Sequence, residues 1–141
     1  MRFERHIFSG KPPTEVLRLV ADFRYLQLWD DSVVSVEPLD EFFGEGARYR
    51  VRVLFSGNPI DMVYTVSMYE AGVRAVLTGV APKATATDTV EVESSGEGTI
   101  VKYTAEIDLA FPFNLLDPVL AVGFKKTVDR AVAGLQRFLA S

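Results

Sequence analysis

Apolar residues recur at steps of four and three over residues 117–140, the C-terminal stretch of the chain. This spacing is typical of an amphipathic α-helix. Asp117 and Pro118 favour a helix start, because aspartate caps free N–H groups and proline has no N–H of its own. At about 1.5 Å per residue the helix is roughly 35 Å long, so it needs the rest of the chain as a surface to lie on. The residues of its apolar side are Leu120, Phe124, Val128, Ala131, Leu135 and Phe138.

From residue 33 to residue 109 the apolar period changes to two, which is typical of β-strands. Each strand is apolar on one face and polar on the other, as in an antiparallel sheet with one face in water. The inward residues of the fourth strand are Ile60, Met62, Tyr64, Val66 and Met68. The predicted strands are residues 2–8, 33–37, 47–55, 60–69, 73–80, 84–93 and 99–109, with a turn at residues 56–59.

Two short helices are predicted between the first two strands. Pro13 opens the first, in which Val16, Val20 and Phe23 share one face. Residues 23–29 are apolar on all sides, so we interpret them as a second short helix or turn. Trp29 then closes one end of the core, with a ligand-stacking surface as the alternative. The order of elements predicts a single α+β domain, residues 1–141, with the helices on one face of a seven-stranded antiparallel sheet.

Composition narrows the function classes. The chain of 141 residues is 48% hydrophobic, which suits one domain with a sizeable core. Its net charge of -4 argues against a nucleic-acid binder, which needs a basic face. With no cysteine and a single histidine, His6, we expect neither a metal site nor a cofactor. The chain lacks a signal-peptide pattern and an apolar run that could span a membrane, so we expect a cytoplasmic protein without integral membrane association.

Four short motifs follow one another along essentially the whole chain. They are Pro13-Thr14-Glu15-Val16, Ala21-Asp22-Phe23 with Leu28-Trp29, Gly44-Glu45-Gly46-Ala47-Arg48 and Gly96-Glu97-Gly98-Thr99. Together they resemble the SRPBCC superfamily of START-like, helix-grip proteins, and within it the polyketide cyclase/dehydrase-like subgroup. The resemblance implies a curved sheet around the long helix with a ligand cavity between them. It implies no single activity, because the superfamily includes lipid carriers, aromatases and cochaperones.

The inward phase of the sheet also favours a cavity. Small residues occupy its middle, and longer ones at the strand ends would hold the helix away. The alternative is that helix side chains fill this space to normal density. The small residues are Ala75, Gly79, Ala84, Ala86 and Ala105. The predicted ligand-binding residues are Tyr49, Met62, Tyr64, Leu77, Ala86, Asp88, Tyr103, Leu120, Phe124 and Val128.

Asp88 is the most informative polar residue of this inward set. A buried aspartate without a partner takes up a proton or costs several kcal/mol. Beside Tyr64 or Tyr103 it would orient a ligand hydroxyl or carbonyl, and with a raised pKa it would act as an acid or base. Asp88, Tyr64 and Tyr103 are therefore the candidate catalytic residues. A single β-bulge would instead turn Asp88 to solvent, and both orientations stay open here.

Other polar groups are interpreted as structural. Arg48, Arg50 and Arg52 fall on the outer face, where acidic residues of neighbouring strands favour ordinary ion pairs over an anion site. His6, with no second histidine and no cysteine in the chain, is more typical of a surface residue than of a catalytic one.

Three functions are compatible with the sequence. The leading hypothesis is binding of a hydrophobic small molecule, lipid-like, polyketide or aromatic, by a monomer or homodimer. The second is a polyketide cyclase or aromatase that uses Asp88 and the cavity tyrosines for proton transfer. The third is a cochaperone-like interaction through an apolar rim, which could equally be a ligand mouth or dimer contact. The rim residues are Phe111, Phe113, Leu115, Val119 and Val122.

Overall fold

The computed structural model describes residues 1–55 and 57–141. Its strands are β1 (Arg2–Ser9), β2 (Val33–Pro38), β3 (Arg48–Phe55), β4 (Asn58–Glu70), β5 (Arg74–Ala81), β6 (Ala84–Ser95) and β7 (Gly98–Leu109). Its helices are α1 (Pro13–Ala21), α2 (Leu26–Trp29) and α3 (Asp117–Ala140). Short 3₁₀ turns, Phe23–Tyr25 and Phe113–Leu116, lead into α2 and α3.

The strands form one curved, antiparallel sheet in the order β1-β7-β6-β5-β4-β3-β2. Consecutive strands from β2 to β7 are neighbours, and β1 pairs with β7. The helices lie on the concave face. The predicted α+β architecture, with its helix-grip arrangement, is therefore confirmed.

The alternation of inward and outward residues holds along most of the sheet. In β4 it shifts, because a bulge lies between Val66 and Met68. Beyond the bulge Tyr69 pairs with the buried Ala75, so Tyr69 packs inward, and the predicted inward position of Met68 is wrong. Of the turn predicted at residues 56–59, residue 56 lies outside the described residues, and β4 already begins at residue 58.

The two ends of α3 pack differently. Toward its C-terminus Leu135 and Leu139 are buried, and Gly134 lies so close to α2 that a Cβ there would overlap the carbonyl oxygen of Trp29. The Lys11 ammonium donates to the carbonyl oxygen of Leu139 at 3.0 Å. Residues 117–127 are exposed or only half-buried. The helix is thus fixed by its C-terminal half, and its N-terminal half covers the sheet loosely.

Among the described residues, no helix combines the length and apolar character needed to cross a membrane. No group of three or more acidic or histidine side chains in these residues is arranged to hold a metal ion.

Candidate functional site

A cavity of about 120 Å³ lies between the sheet and the middle of α3, and we call it the inner chamber. Its floor is formed by inward residues of β3, β4, β6 and β7, and its roof by α3. The end of α2 closes one side. The lining side chains include those of Trp29, Asp30, Ser32, Tyr64, Ala86, Asp88, Tyr103, Phe124, Thr127 and Ala131.

A second cavity of about 420 Å³, the outer chamber, lies toward the N-terminal end of α3. Phe55, Ile60 and Ala84 line both chambers, so the two adjoin. Leu120 and Phe113 line the outer one, whose walls are largely apolar. The arrangement is a small inner chamber with polar groups beside a larger apolar one.

Small inward residues, which were predicted to leave space below the helix, account for part of the inner chamber. Ala84, Ala86 and Ala105 line it, as expected of small inward residues. The ring of Phe55 meets that of Phe124 edge to face at 4.5 Å between centroids, which props α3 above the strands. Two other small residues leave no space. Ala75 is fully buried in the core, and a Cβ at Gly79 would come within 2.6 Å of the Tyr64 ring.

Asp88 faces inward, which settles the question that the sequence left open. It lies in the middle of β6 between Leu77 and Ala105 on the neighbouring strands. The Tyr103 hydroxyl donates to its Oδ2 at 2.9 Å. Asp88 is deep in the protein, and its remaining exposure is toward the chamber. Burial raises its pKa to about 7; the bond from Tyr103 opposes this rise and the charge of Asp30 adds to it.

Asp30 is a second carboxylate of the same chamber, and sequence analysis missed it. It follows Trp29 at the end of α2. Its Oδ1 accepts hydrogen bonds from the backbone N–H of Ser32 at 3.0 Å and from the Ser32 hydroxyl at 2.7 Å. Burial raises its pKa, and both bonds from Ser32 oppose the rise. The sequence of residues 30–32, Asp-Asp-Ser, is typical of a turn and does not indicate where the turn lies. In the folded chain this turn lies over the sheet.

Aromatic side chains surround the two carboxylates. Burial, followed by the charge of Asp88, raises the pKa of Tyr64 well above its usual value. The Trp29 ring meets that of Tyr103 edge to face at 6.1 Å. Trp29 is 5% exposed, and its Nε1 has no hydrogen-bond partner among the described residues. Trp29 thus closes the core, as predicted, and also forms a wall of the chamber.

The structure divides the predicted ligand-binding residues into three groups. Tyr49 and Leu77 lie in the packed core, where Tyr49 is 1% exposed and its hydroxyl donates to Asp22 at 3.3 Å. Their inward phase was right, but α1 and the 3₁₀ turn after it fill that end of the sheet. Leu120 lines the outer chamber. The residues that line the inner chamber are Met62, Tyr64, Ala86, Asp88, Tyr103, Phe124 and Val128.

The groups interpreted as structural lie outside the chambers. Arg48 pairs with Asp40, Arg50 with Glu37, and Arg52 with Asp61, at 3.1, 3.1 and 2.9 Å. His6 is exposed on β1. The apolar rim is exposed as well: Phe111, Leu115, Val119 and Val122 are 78, 67, 73 and 62% accessible.

Comparison with known proteins gives the family. Residues 1–140 match the family described as polyketide cyclase / dehydrase and lipid transport. No curated protein sequence matches the chain. The structure is similar to that of TTHA0849 from Thermus thermophilus, with 20% identity, a TM-score of 0.82 and coverage of 99% of this chain and 97% of that one. It is also similar to a START superfamily protein from Mycobacterium smegmatis, with 12% identity, a TM-score of 0.76 and 99% coverage of both. The chain therefore belongs to the polyketide cyclase/dehydrase and lipid-transport family of the START-like (SRPBCC) superfamily.

Proposed function

We propose that this protein binds a hydrophobic small molecule, lipid-like, polyketide or aromatic, with its polar end in the inner chamber. The observation that supports the proposal is an apolar cavity whose floor carries the hydrogen-bonded pair Asp88 and Tyr103. Ligand sites generally combine apolar walls with a few polar groups that fix the orientation of the ligand.

The sizes of the chambers favour a ligand with a ring-sized end group. The inner chamber, at about 120 Å³, is close to the roughly 150 Å³ of a dry apolar cavity that binds benzene. It therefore accepts about one ring. The outer chamber, at about 420 Å³, has room for further rings or an alkyl chain.

The charges of the two chambers favour one direction of entry. The charged groups among the described residues of the inner chamber are the carboxylates Asp30 and Asp88. Lys83 lines the outer chamber, with its ammonium 5.1 Å from the centre of the Phe113 ring. A ligand carboxylate would be repelled by the inner pair and attracted by this lysine. We therefore expect the inner end of the ligand not to be a carboxylate or another anion.

The test uses two alanines of α3 that differ in position. Ala131 lines the inner chamber, whereas Ala133 is exposed. Ala131→Leu should fill the chamber and weaken binding of the neutral fluorescent probe N-phenyl-1-naphthylamine at least tenfold, and Ala133→Leu should leave it unchanged. Native mass spectrometry of freshly purified protein, with solvent extraction, should identify any retained ligand. Equal probe affinity in the two variants, both shown to be folded by thermal melting, would place binding elsewhere.

Proton transfer of the cyclase or dehydrase type is the second candidate. The observation that favours it is the inward orientation of Asp88, whose pKa of about 7 allows it to be either acid or base at neutral pH. Turnover of a bound ketone tests this candidate.

A further inference from the structure

We infer that the inner chamber holds an acid–base pair for ketones, in which Asp30 is the base and Asp88 the acid. In this inference the protein interconverts the keto and enol forms of an uncharged, apolar ketone. The inference rests on the proposed function, because the ketone must first enter the inner chamber.

Asp30 is suited to be the ionised member because its hydrogen bonds stabilise a carboxylate. The Ser32 backbone N–H and hydroxyl both donate to Oδ1, at 3.0 and 2.7 Å. Arg130, which bonds to Asp31 at 3.2 Å, also lies near enough to favour the charged form. Asp31 acts in the opposite sense. Burial is the largest influence and raises the pKa of Asp30 overall, but its two hydrogen bonds and the nearby cation make it the better stabilised carboxylate of the two.

Asp88 is suited to be the protonated member because its surroundings stabilise a negative charge less than those of Asp30 do. It accepts one hydrogen bond, from Tyr103 on β7, and faces Tyr64 on β4. From α3 the chamber receives the uncharged Thr127, and no lysine, arginine or histidine is among the described lining residues. When two carboxylates share one enclosed site, one of them takes up a proton. We assign that proton to Asp88.

The donors of the chamber fit a carbonyl ligand. Tyr64 lines the chamber, and burial raises its pKa well above the usual value, so its hydroxyl keeps its proton at neutral pH. Protonated Asp88 is a second donor on the same sheet. The oxygen of a ketone is an acceptor, whereas a hydrocarbon has none and an ammonium group only donates.

The proposed step balances without a further reactant. The Asp30 carboxylate takes a proton from the carbon beside the carbonyl group, and the electrons of the broken C–H bond form a C=C bond. The C=O π electrons move to oxygen, which receives the proton of Asp88 and gives the enol. The reverse step returns a proton to carbon and regenerates both side chains. Ring closure or double-bond migration would begin from the same enol.

The probe for this step is 2-tetralone, an uncharged fused-ring ketone. In D₂O, enolisation replaces the protons on its C1 with deuterium, which proton NMR follows directly. We expect the protein to accelerate this exchange above the buffer rate. Asp30→Asn should reduce the accelerated rate by about 10² or more, the usual contribution of a general base, and Asp88→Asn by a smaller factor. Asp61→Asn, on the outer face where Asp61 pairs with Arg52, should leave it unchanged.

The pH profile is a second readout, which the wild-type protein provides by itself. Exchange should rise with pH as Asp30 ionises and fall as Asp88 loses its proton near pH 7. The neighbouring titratable and charged groups are Tyr64, Tyr103, Asp31 and Arg130. In Asp88→Asn the falling limb should disappear.

Binding and exchange must be measured separately. If 2-tetralone displaces the fluorescent probe but its exchange is not accelerated, the acid–base pair is refuted and the proposed binding function stands. If neither the probe nor the ketone binds, both proposals fail. Exchange that persists in Asp30→Asn at the wild-type rate would also overturn the assignment of the base.

Discussion

Two inward-facing aspartates, the buried Asp22 and the half-buried Asp88, lie under different parts of the helical layer. Each accepts a hydrogen bond from a tyrosine hydroxyl, Asp22 from Tyr49 at 3.3 Å and Asp88 from Tyr103 at 2.9 Å. Asp22 also accepts two short bonds from the Arg24 guanidinium, at 2.6 and 2.9 Å. Asp88 has no such cation among the described residues of its chamber.

The arginine reverses the effect of burial. Burial acts to raise the pKa of Asp22, yet the hydrogen bonds and charges of Arg24, with the charge of Arg18, lower it overall. Burial raises the pKa of Asp88 to about 7, because a single tyrosine opposes it. A buried carboxylate with a cation is a permanent charge that fixes local structure. One without a cation, open to a cavity, exchanges its proton near neutral pH and is available for chemistry.

The largest expected effect is the loss of stability when Asp22 is removed. Asp22→Ala leaves Arg24 and the buried Tyr49 hydroxyl without their acceptor and removes the bond to the Arg24 backbone N–H. The Arg24 side chain is 40% exposed and returns to water, so the loss comes from the unpaired buried Tyr49 hydroxyl and the lost cap bond, together about 2–4 kcal/mol. Urea denaturation should show a loss in this range. Asp61→Ala, which breaks an exposed pair with Arg52, should cost less than about 1 kcal/mol, and equal losses in the two variants would contradict the comparison.

The next effect is that the contributions of Asp88 and Asp22 to the free energy of unfolding change with pH in opposite directions. The pKa of Asp88 is about 7 in the folded protein and about 4 in the unfolded chain. The folded state therefore holds the extra proton between these values, and stability due to Asp88 falls as pH rises from 4 to 7. We expect Asp88→Asn to be more stable than wild type at pH 8 by about 1–3 kcal/mol, a difference that vanishes near pH 4.

Asp22 should behave in the opposite way. Its pKa is lowered by folding, so its stabilising effect is complete above the unfolded value near 4 and is lost as pH falls below it. Asp22→Asn should therefore show its full loss of stability at pH 8 and a smaller one at pH 3. Denaturation at pH 3, 4 and 8 measures both aspartates. If Asp88→Asn were less stable than wild type at pH 8, the ionised Asp88 carboxylate would not destabilise the folded state, and the comparison would be contradicted.

Sequence periodicity predicted the fold well because strand and helix periods act over many residues. The apolar side of α3, the seven strands and the inward phase of Asp88 all follow from repeated positions. One misplaced residue does not alter such a pattern. Met68 is the exception, since a single bulge after Val66 exchanges the faces of β4.

The candidate site was harder to predict because it depends on contacts between distant residues. Asp30 lies in a turn, where no periodicity indicates which way a side chain points. Tyr49 and Leu77 have the right phase, but helical residues fill the space above them. Gly79 is small, but the Tyr64 ring occupies its space. Phase gives the face of a strand, and only tertiary packing decides whether that face meets a cavity or a solid core.

The smallest expected effects come from removing the hydroxyl group of Tyr103 or of Tyr49. Tyr103→Phe removes the hydroxyl that stabilises ionised Asp88, so the pKa of Asp88 should move further upward. Tyr49→Phe should leave Asp22 ionised at neutral pH, because Arg24 still holds it, and should cost about 1 kcal/mol of stability for the lost hydrogen bond. Carbon-13 NMR of the aspartate carboxyl groups across pH 3–9 measures both. An unchanged titration of Asp88 in Tyr103→Phe would mean that the cavity, and not this bond, sets its proton affinity, and Tyr103 would then lose its role in tuning the proposed acid.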